Sequence, residues 1–285
     1  SRGLGDVYKR QVGDHHEVHP LDSRAFQAWL THRYRALSEG MPCGPTAVQT
    51  AIRALEAEAR FGERRNVREA YTRVAEHEGS IYLFLADERW RAVKITKMGW
   101  EIVDAPPVLF VKKPGMLPLP EPKRGGSVRE LGRIINLGSH EDEILILSFL
   151  LFTLDPSGPY PVLVLLGAQG SGKSTAAEIL RSVIDPNAAP TRSLPKTPED
   201  LAISAANSHI LTFDNVSSLD ETLSDCLCRM ATGSGFATRR LYTNDEESLF
   251  NSRRPVVLNG ISEFISRPDL LDRSIIVRLP ALAAS

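Results

Sequence analysis

The chain has 285 residues, of which 42% are hydrophobic and 24% are charged, and its formal net charge is -1. This composition is typical of a globular protein with one main core and a second, smaller one. The near-neutral balance excludes a generally basic surface, so any contact with nucleic acid must come from local clusters of cations. The longest apolar run, from Ile144 to Leu154, is too short to cross a bilayer, and we predict no membrane segment.

The first residues carry little information about the fold. Residues 1–11, SRGLGDVYKRQ, resemble the in-frame translation of a sequencing adapter, so we expect them to be an artefact and the protein to continue upstream. Next come His15, His16 and His19, whose place near the terminus favours solvated disorder over a metal site. The three cysteines have no metal-ligand or disulfide spacing, which is typical of a reducing, cytoplasmic location.

Residues 12–113 are predicted to form a small α+β domain. The segment from Asp22 to Phe61 has helical periodicity that is broken at MPCGP, and this predicts two packed helices. From Ser80 to Lys112, apolar runs of strand length alternate with turn-like segments, which predicts a β-meander. Residues 114–127, PGMLPLPEPKRGGS, contain too much proline and glycine for regular structure, and we interpret them as a linker between two domains.

Residues 128–285 are predicted to form an α/β domain. A helix over Val128–Asn136 and an apolar helix over Glu141–Leu154 are followed by alternating strands and helices. Such alternation favours a parallel sheet with helices on both faces. We therefore predict a larger α/β domain preceded by the smaller α+β domain.

The segment GAQGSGKST follows the apolar stretch YPVLVLL and precedes a predicted helix. It contains the pattern G-x-x-x-x-G-K-[ST] of a phosphate-binding loop. Glycine lets such a loop turn with positive φ, the lysine meets the outer phosphates, and the serine hydroxyl is a ligand for Mg²⁺. Kinases, GTPases, transporters and motors share this loop, so it predicts a ligand and not a reaction. The residues predicted to bind the nucleotide are Gly167, Ala168, Gln169, Gly170, Ser171, Gly172, Lys173, Ser174 and Thr175.

Polar residues end two further apolar strands. SHILTFDN leads to Asp214, which we expect to hold Mg²⁺, and the predicted strand and Thr197-capped helix before it are typical of motor ATPases. Asn215 follows, where such ATPases usually have glutamate; an amide can orient the attacking water but cannot accept its proton. A site that only binds, or hydrolyses slowly, is therefore the alternative. RRPVVLNGI contains Asn259, which could reach the γ-phosphate or its water, or could simply form an Asn-Gly turn.

Cations occur at two informative places. Arg273 lies between a short predicted helix and the last strand, where an arginine can enter the nucleotide site of a neighbouring subunit, and Arg267 is the second candidate. GFATRRLYT is interpreted as part of a hairpin that carries Arg239, Arg240 and Tyr242. Cations beside an aromatic ring suit single-stranded DNA, because they pair with phosphate while the ring stacks on a base. An ordinary solvated hairpin is the alternative.

With these motifs in this order, residues Val128–Pro280 resemble superfamily-three helicases of the AAA+ group, specifically the helicase half of primase-helicases encoded by phages and mobile elements. The motifs that carry the resemblance are GAQGSGKST, LTFDN, ATGSGFATRRLYTNDEE, VVLNG and PDLLDR. The resemblance implies a P-loop ATPase fold, ATP and Mg²⁺ as cofactors, a hexameric ring of identical subunits on single-stranded DNA, and a primase or polymerase domain upstream. It also implies these roles: Walker A for Lys173 and Ser174, Walker B for Asp214 and Asn215, sensor for Asn259, arginine finger for Arg273, and DNA contact for Arg239 and Arg240.

The leading hypothesis is an ATP-dependent DNA helicase or translocase module that replicates a phage or an integrated element. A DNA-associated nucleotide switch, such as an initiator or loader platform, is the alternative that Asn215 favours. A small-molecule P-loop kinase is a more distant third. Stimulation of ATP hydrolysis by single-stranded DNA would support the helicase. Phosphoryl transfer to a nucleoside would support the kinase.

Overall fold

The computed structural model describes residues 7–12, 15–62, 69–233, 236–239, 247–250 and 253–282. Its elements form an N-terminal and a C-terminal group. The N-terminal elements are β1 (Val7–Val12), β2 (His15–Pro20), α1 (Arg24–Leu37), α2 (Pro45–Phe61), β3 (Ala70–Tyr71), β4 (Val74–His77), β5 (Ser80–Phe84), β6 (Ala92–Thr96), β7 (Gly99–Val103) and β8 (Leu109–Phe110). The C-terminal elements are a 3₁₀ turn (Val128–Glu130), α3 (Leu131–Ile134), α4 (His140–Phe152), β9 (Val162–Leu166), α5 (Lys173–Ile184), α6 (Pro198–Asn207), β10 (Leu211–Phe213), α7 (Glu221–Thr232), β11 (Phe236–Arg239), β12 (Glu247–Phe250), β13 (Val256–Gly260), α8 (Pro268–Leu271) and β14 (Ser274–Arg278).

The histidine-rich segment is a strand, so the expectation of solvated disorder there is wrong. β2 pairs with β1 in antiparallel register, with Tyr8 opposite His19. His19 lies 2.8 Å from a Glu17 carboxylate oxygen, and Val18 is buried in the core beneath the meander. Strand pairing and this burial order the segment despite its position near the terminus. Among the described residues, no three His, Cys, Asp or Glu side chains come together as ligands for a metal ion.

The two predicted helices and the predicted meander are present. Ser23 caps α1, because its hydroxyl accepts the N–H of Phe26 at 3.2 Å, and Pro45 occupies the first turn of α2. Phe26 and Ile52 pack between these helices as part of a small core. The meander is a four-stranded antiparallel sheet in the order β4-β5-β6-β7, in which alternating residues such as Tyr82 and Phe84 are buried.

Residues 115–119 hydrogen bond to both parts of the chain. The N–H of Leu117 donates to the carbonyl of Pro186 at 3.0 Å, and the N–H of Leu119 donates to the carbonyl of Leu85 at 2.8 Å. The carbonyl of Gly115 accepts the N–H of Ala188 at 2.8 Å. The segment has no regular structure, in keeping with its composition, yet it is held against the meander on one side and the C-terminal part on the other.

The C-terminal part is built on a parallel sheet in the order β10-β13-β9-β14. Every residue of β9 and β13 is buried, as expected for strands covered on both faces. One face packs against α4 and α5 through residues such as Leu180, and the other packs against α6 and α7 through residues such as Leu201 and Leu227. The predicted α/β P-loop fold, with a smaller α+β domain in front, is therefore confirmed.

Two elements differ from their predictions. The helix predicted over Val128–Asn136 is a 3₁₀ turn followed by a four-residue helix, because Ile135 is extended with φ -95° and ψ 133°. Gly132, a poor helix former, lies inside this stretch. The strand expected between α5 and α6 is reduced to two isolated bridges: Asn187 pairs with Met116, and Arg192 pairs with Phe213 at the outer edge of β10. No helix among the described residues combines the length and the apolar character needed to cross a membrane.

Candidate nucleotide-binding site

Three of the predicted site motifs meet at the carboxyl edge of the parallel sheet. Gly167 directly follows β9, Asp214 directly follows β10, and Asn259 is the fourth residue of β13. These three strands are neighbours, with β13 between the other two. Open parallel sheets bind ligands beyond the carboxyl ends of their strands. The fold therefore brings three separate sequence motifs to one place.

The glycine loop joins β9 to α5. Gly170 and Gly172 have φ values of 78° and 85°, which side chains with a Cβ rarely adopt, and Gly172 is the N-cap of α5. Lys173 is the first residue of α5, and its Nζ donates to the carbonyls of Gly167 at 2.9 Å and Ala168 at 2.8 Å. The loop is thus closed around the ammonium group. The positive end of the α5 dipole adds to this charge, so the loop can attract phosphate.

Ser174 and Asp214 form a pair suited to Mg²⁺. The Ser174 hydroxyl donates to Oδ1 of Asp214 at 2.9 Å, although 40 positions separate the two residues. Ser174 is exposed and Asp214 is half-buried, so both can be reached from the loop side. Hydroxyl and carboxylate oxygens are the hard ligands that Mg²⁺ prefers, usually with several waters retained. The donor set present here therefore fits a magnesium ion that also contacts nucleotide phosphates.

Asn259 connects the ends of β13 and β10. Its Oδ1 accepts the backbone N–H of Asn215 at 2.8 Å, and this bond points Nδ2 away from Asn215. Asn259 is 1% exposed, and Nδ2 has no hydrogen-bond partner among the described residues. An unpaired buried donor costs about 1–3 kcal/mol, which a ligand oxygen would recover. Asn215 is exposed and has φ 54°, a left-handed conformation that asparagine tolerates better than most residues.

Asn136 braces the loop and was not predicted. Its Nδ2 donates to the carbonyl of Ser171 at 3.2 Å and to the carbonyl of Pro280 at 2.7 Å. The side chain therefore joins the segment before α4, the glycine loop and the segment after β14. Its two partners lie 35 and 144 positions away, so no local pattern identifies it.

The two candidate finger arginines differ in their surroundings. Arg267 forms an ion pair with Asp225 at 3.1 Å, with Glu221 at 3.8 Å as a further acidic neighbour. Arg273 is exposed, and its Nη1 donates to the backbone carbonyl of Asp269 at 2.6 Å. Because Ser274 lies opposite Val162, the first residue of β9, Arg273 is at the amino edge of the sheet, opposite the glycine loop.

The predicted hairpin is present in its described part. β11 and β12 pair in antiparallel register, with Arg239 opposite Glu247. Arg240 and Tyr242 lie outside the described residues. The hairpin is inserted between α7 and the start of β13, so the chain returns from it to the amino edge of the sheet.

Many solved structures are partly similar in shape to this chain, and they include the following three proteins. The apo C-terminal region of NrS-1 aligns over 84% of this chain and 54% of its own, with 13% identity and a TM-score of 0.46. The JCV helicase, bound to a thiazolopyridine compound, aligns over 55% of this chain and 45% of its own, with 16% identity and a TM-score of 0.39. NtrX from Brucella abortus in complex with ADP aligns over 54% of this chain and 38% of its own, with 16% identity and a TM-score of 0.32. The chain thus spans between 38% and 54% of the length of these proteins.

Sequence comparison identifies the family. A search of curated proteins found no match. A family profile described as actinomycete integrative conjugative element replication protein matches residues 128–283. This range is more than half of the chain, and it contains the glycine loop and the residues Asp214, Asn259 and Arg273. The chain therefore belongs to the family of replication proteins of actinomycete integrative conjugative elements.

Proposed function

We propose that this chain is the ATP-hydrolysing motor of its replication protein and acts on single-stranded DNA as a helicase or translocase. The observation that carries the proposal is the meeting of the glycine loop, the Ser174–Asp214 pair and the unpaired Nδ2 of Asn259 at one edge of the sheet. A phosphate cradle, hard oxygen ligands and a buried donor are the groups that phosphoryl transfer to water requires.

Each side chain has a specific part in the proposed reaction. Lys173 neutralises the outer phosphates, and Ser174 and Asp214 would hold Mg²⁺. The ion would supply charge neutralisation on the β- and γ-phosphate oxygens. The side-chain amide of Asn215 orients the attacking water, as glutamine does in GTPases, and Nδ2 of Asn259 donates to the γ-phosphate or to that water.

The position of Arg273 supports a site shared between subunits. Arg273 lies at the amino edge of the sheet and the glycine loop at the carboxyl edge, with the five residues of β9 between them. Five strand residues span about 16 Å, which is too far for Arg273 to reach its own loop. A homo-hexameric ring with head-to-tail contacts would bring Arg273 to the nucleotide of the neighbouring subunit.

The β11–β12 hairpin is the proposed contact with the DNA strand. It carries Arg239, and the adjoining Arg240 and Tyr242 add a second cation and an aromatic ring. Such a group binds phosphate and stacks on bases without regard to sequence. A primase or polymerase domain upstream in the full protein would complete the replication function.

A second function is favoured by one residue. Asn215 stands where a carboxylate would accept the proton of the attacking water, and an amide cannot do so. If the lack of a proton acceptor at this position makes hydrolysis slow, the chain would be an ATP-dependent switch that binds DNA, such as an initiator or loader platform.

The first experiment measures ATP hydrolysis by the purified chain with and without a single-stranded oligonucleotide. We expect the DNA to stimulate hydrolysis, and Lys173→Ala to lower turnover by at least about 100-fold because it removes a charge at the transferred phosphate. Lys123→Ala, which alters an exposed lysine far from the loop in sequence, is the matched control and should match wild type. ATP hydrolysis that is indifferent to DNA would contradict the motor.

A forked duplex separates the two functions. The motor unwinds the fork in an ATP-dependent reaction that Lys173→Ala abolishes. The wild-type switch also binds ATP and DNA tightly. It leaves the fork intact, however, even when the reaction is followed for many times the turnover time of its ATP hydrolysis. Unwinding therefore supports the first function, and tight binding without unwinding supports the second.

A further inference from the structure

Arg73 is a buried cation that lies outside the range of the family profile. It sits between β3 and β4, its side chain is 0% exposed, and its guanidinium makes four hydrogen bonds. Nε donates to Oδ1 of Asp185 at 3.1 Å, Nη1 to the carbonyl of Phe84 at 3.0 Å and Nη2 to the carbonyl of Leu117 at 3.0 Å. Nη2 also donates to the carbonyl of Pro186 at 3.5 Å. A buried guanidinium is tolerated only with such partners. Arg73 therefore ties the meander and the 115–119 segment to one carboxylate of the C-terminal part.

That carboxylate joins two elements of the nucleotide site. Asp185 is the C-cap of α5, and its N–H donates to the carbonyl of Arg181 at 2.7 Å. Its Oδ2 accepts the backbone N–H groups of His209 at 2.9 Å and Ile210 at 3.1 Å, the two residues directly before β10. Burial alone would raise the pKa of Asp185, but the charge of Arg73, followed by His209 and the N–H of Ile210, lowers this pKa below its ordinary value. The carboxyl is thus ionised and connects the end of α5 to the start of β10.

The same two elements carry the magnesium ligands at their other ends. Ser174 lies in the first turn of α5, and Asp214 directly follows β10. The helix α5 runs antiparallel to β10. The Ser174–Asp214 hydrogen bond therefore joins the two elements at one end, and the hydrogen bonds of Asp185 join them at the other. Val74, next to Arg73, packs in the same core as Leu180 and Ile184 of α5, so the meander also supports the helix by apolar contact.

We infer that Arg73 is a positioning residue of the nucleotide site: through Asp185 it fixes α5 against β10 and so sets the spacing of Ser174 and Asp214. The inference rests on the proposed function, because it concerns the magnesium ligands of that site. It assigns a part of the site to the N-terminal module, which the family profile does not include.

The test uses the whole chain and measures binding of a fluorescent ATP analogue, first in EDTA and then as Mg²⁺ is added. Arg73→Lys keeps the positive charge but loses the planar guanidinium that reaches four acceptors. The Mg²⁺ midpoint is the Mg²⁺ concentration that gives half of the maximal change in binding of the analogue. We expect this midpoint to rise by about 10-fold, as for other residues that orient metal ligands. Affinity in EDTA should stay within about twofold of wild type, because the glycine loop and Lys173 are unchanged.

Controls separate positioning from folding. Asp185→Asn is the second variant: it keeps the shape of the side chain, removes the charge and should shift the Mg²⁺ midpoint in the same direction. Arg91→Lys is the matched control, since Arg91 pairs with Asp87 of the meander and with Glu121, neither of which belongs to α5 or β10, and its midpoint should equal that of wild type. Melting temperatures are measured for all variants, and binding is measured well below them.

The outcomes are distinguishable. A raised Mg²⁺ midpoint in Arg73→Lys and Asp185→Asn, with normal affinity in EDTA, supports the inference. A lower melting temperature with an unchanged midpoint in both variants overturns it and leaves Arg73 a purely structural residue. Wild-type protein that binds the analogue without any effect of Mg²⁺ removes the magnesium site itself, which is a failure of the proposed function and is recognised before any variant is compared.

Discussion

Asn215 is the residue that most limits the proposed reaction. Its φ of 54° and the bond from its N–H to Asn259 fix its backbone, and aspartate tolerates this conformation nearly as well as asparagine. Asn215→Asp therefore places a carboxylate where the amide is now, with little strain. Because a carboxylate can accept the proton of the attacking water, we expect hydrolysis to become at least about 10-fold faster. Single-turnover kinetics are the measurement, since product release cannot mask the effect there.

The control for this substitution is Asn215→Ala. It removes the polar side chain, and alanine is less tolerant of the left-handed conformation, so we expect turnover below that of wild type. Binding of ATP should change little in either variant, because neither touches the glycine loop. If Asn215→Asp were no faster than wild type, the attacking water would not lie beside this residue.

Elements with local signals could be predicted from the sequence. The α6 helix begins after Thr197, whose hydroxyl accepts the N–H of Asp200 at 3.2 Å, as the capping pattern predicts. The glycine loop and its flanking strand and helix were predicted for the same reason, since consecutive residues specify them. The meeting of Gly167, Asp214 and Asn259 followed from a general property of parallel sheets.

Contacts between distant residues could not be predicted in this way. Arg73 and Asp185 are 112 positions apart, and Asn136 and Pro280 are 144 positions apart. Each pair depends on the packing of whole elements, and no periodicity or spacing in the sequence reports such packing. The same limit applies to β3 and β8, two-residue strands whose parallel pairing is too short to leave a pattern.

The segment that leads into β10 predicts a pH dependence of stability. His209 is 4% exposed, and its Nε2 donates to the carbonyl of Thr153 at 2.7 Å. Burial is the main reason that the pKa of His209 falls to about 4, whereas an unfolded chain has about 6.5. Between these values only the unfolded state binds the proton, so the free energy of unfolding decreases as the pH falls from about 6.5 to 4, by an amount on the order of 3 kcal/mol.

Urea denaturation at a series of pH values measures this effect. His209→Gln keeps a donor near Thr153 and does not titrate, so its free energy of unfolding should vary less with pH over the same range. The remaining histidines are common to both proteins and cancel in the comparison. Equal pH dependence in wild type and His209→Gln would show that His209 is not the titrating group.

At the scale of the whole molecule, the two edges of the parallel sheet have different proposed tasks. The carboxyl edge holds the glycine loop and Asp214, whereas the amino edge holds Arg273 and the start of β13, to which the chain returns from the hairpin. A nucleotide on one edge can therefore meet Arg273 only when a second subunit presents its opposite edge. Movement of that subunit would then carry its hairpin along the DNA.

Mixing two inactive variants tests this arrangement. Lys173→Ala removes the lysine proposed to bind phosphate and Arg273→Ala removes the proposed arginine finger, so each should hydrolyse ATP poorly alone. In a ring assembled from equal amounts of both, about a quarter of the interfaces combine an intact loop with an intact finger, and about a quarter of wild-type hydrolysis should return. Subunits are mixed as monomers before assembly, and each variant mixed with itself is the control. A mixture as inactive as its components, from rings shown to contain both variants, would place Arg273 outside the neighbouring site.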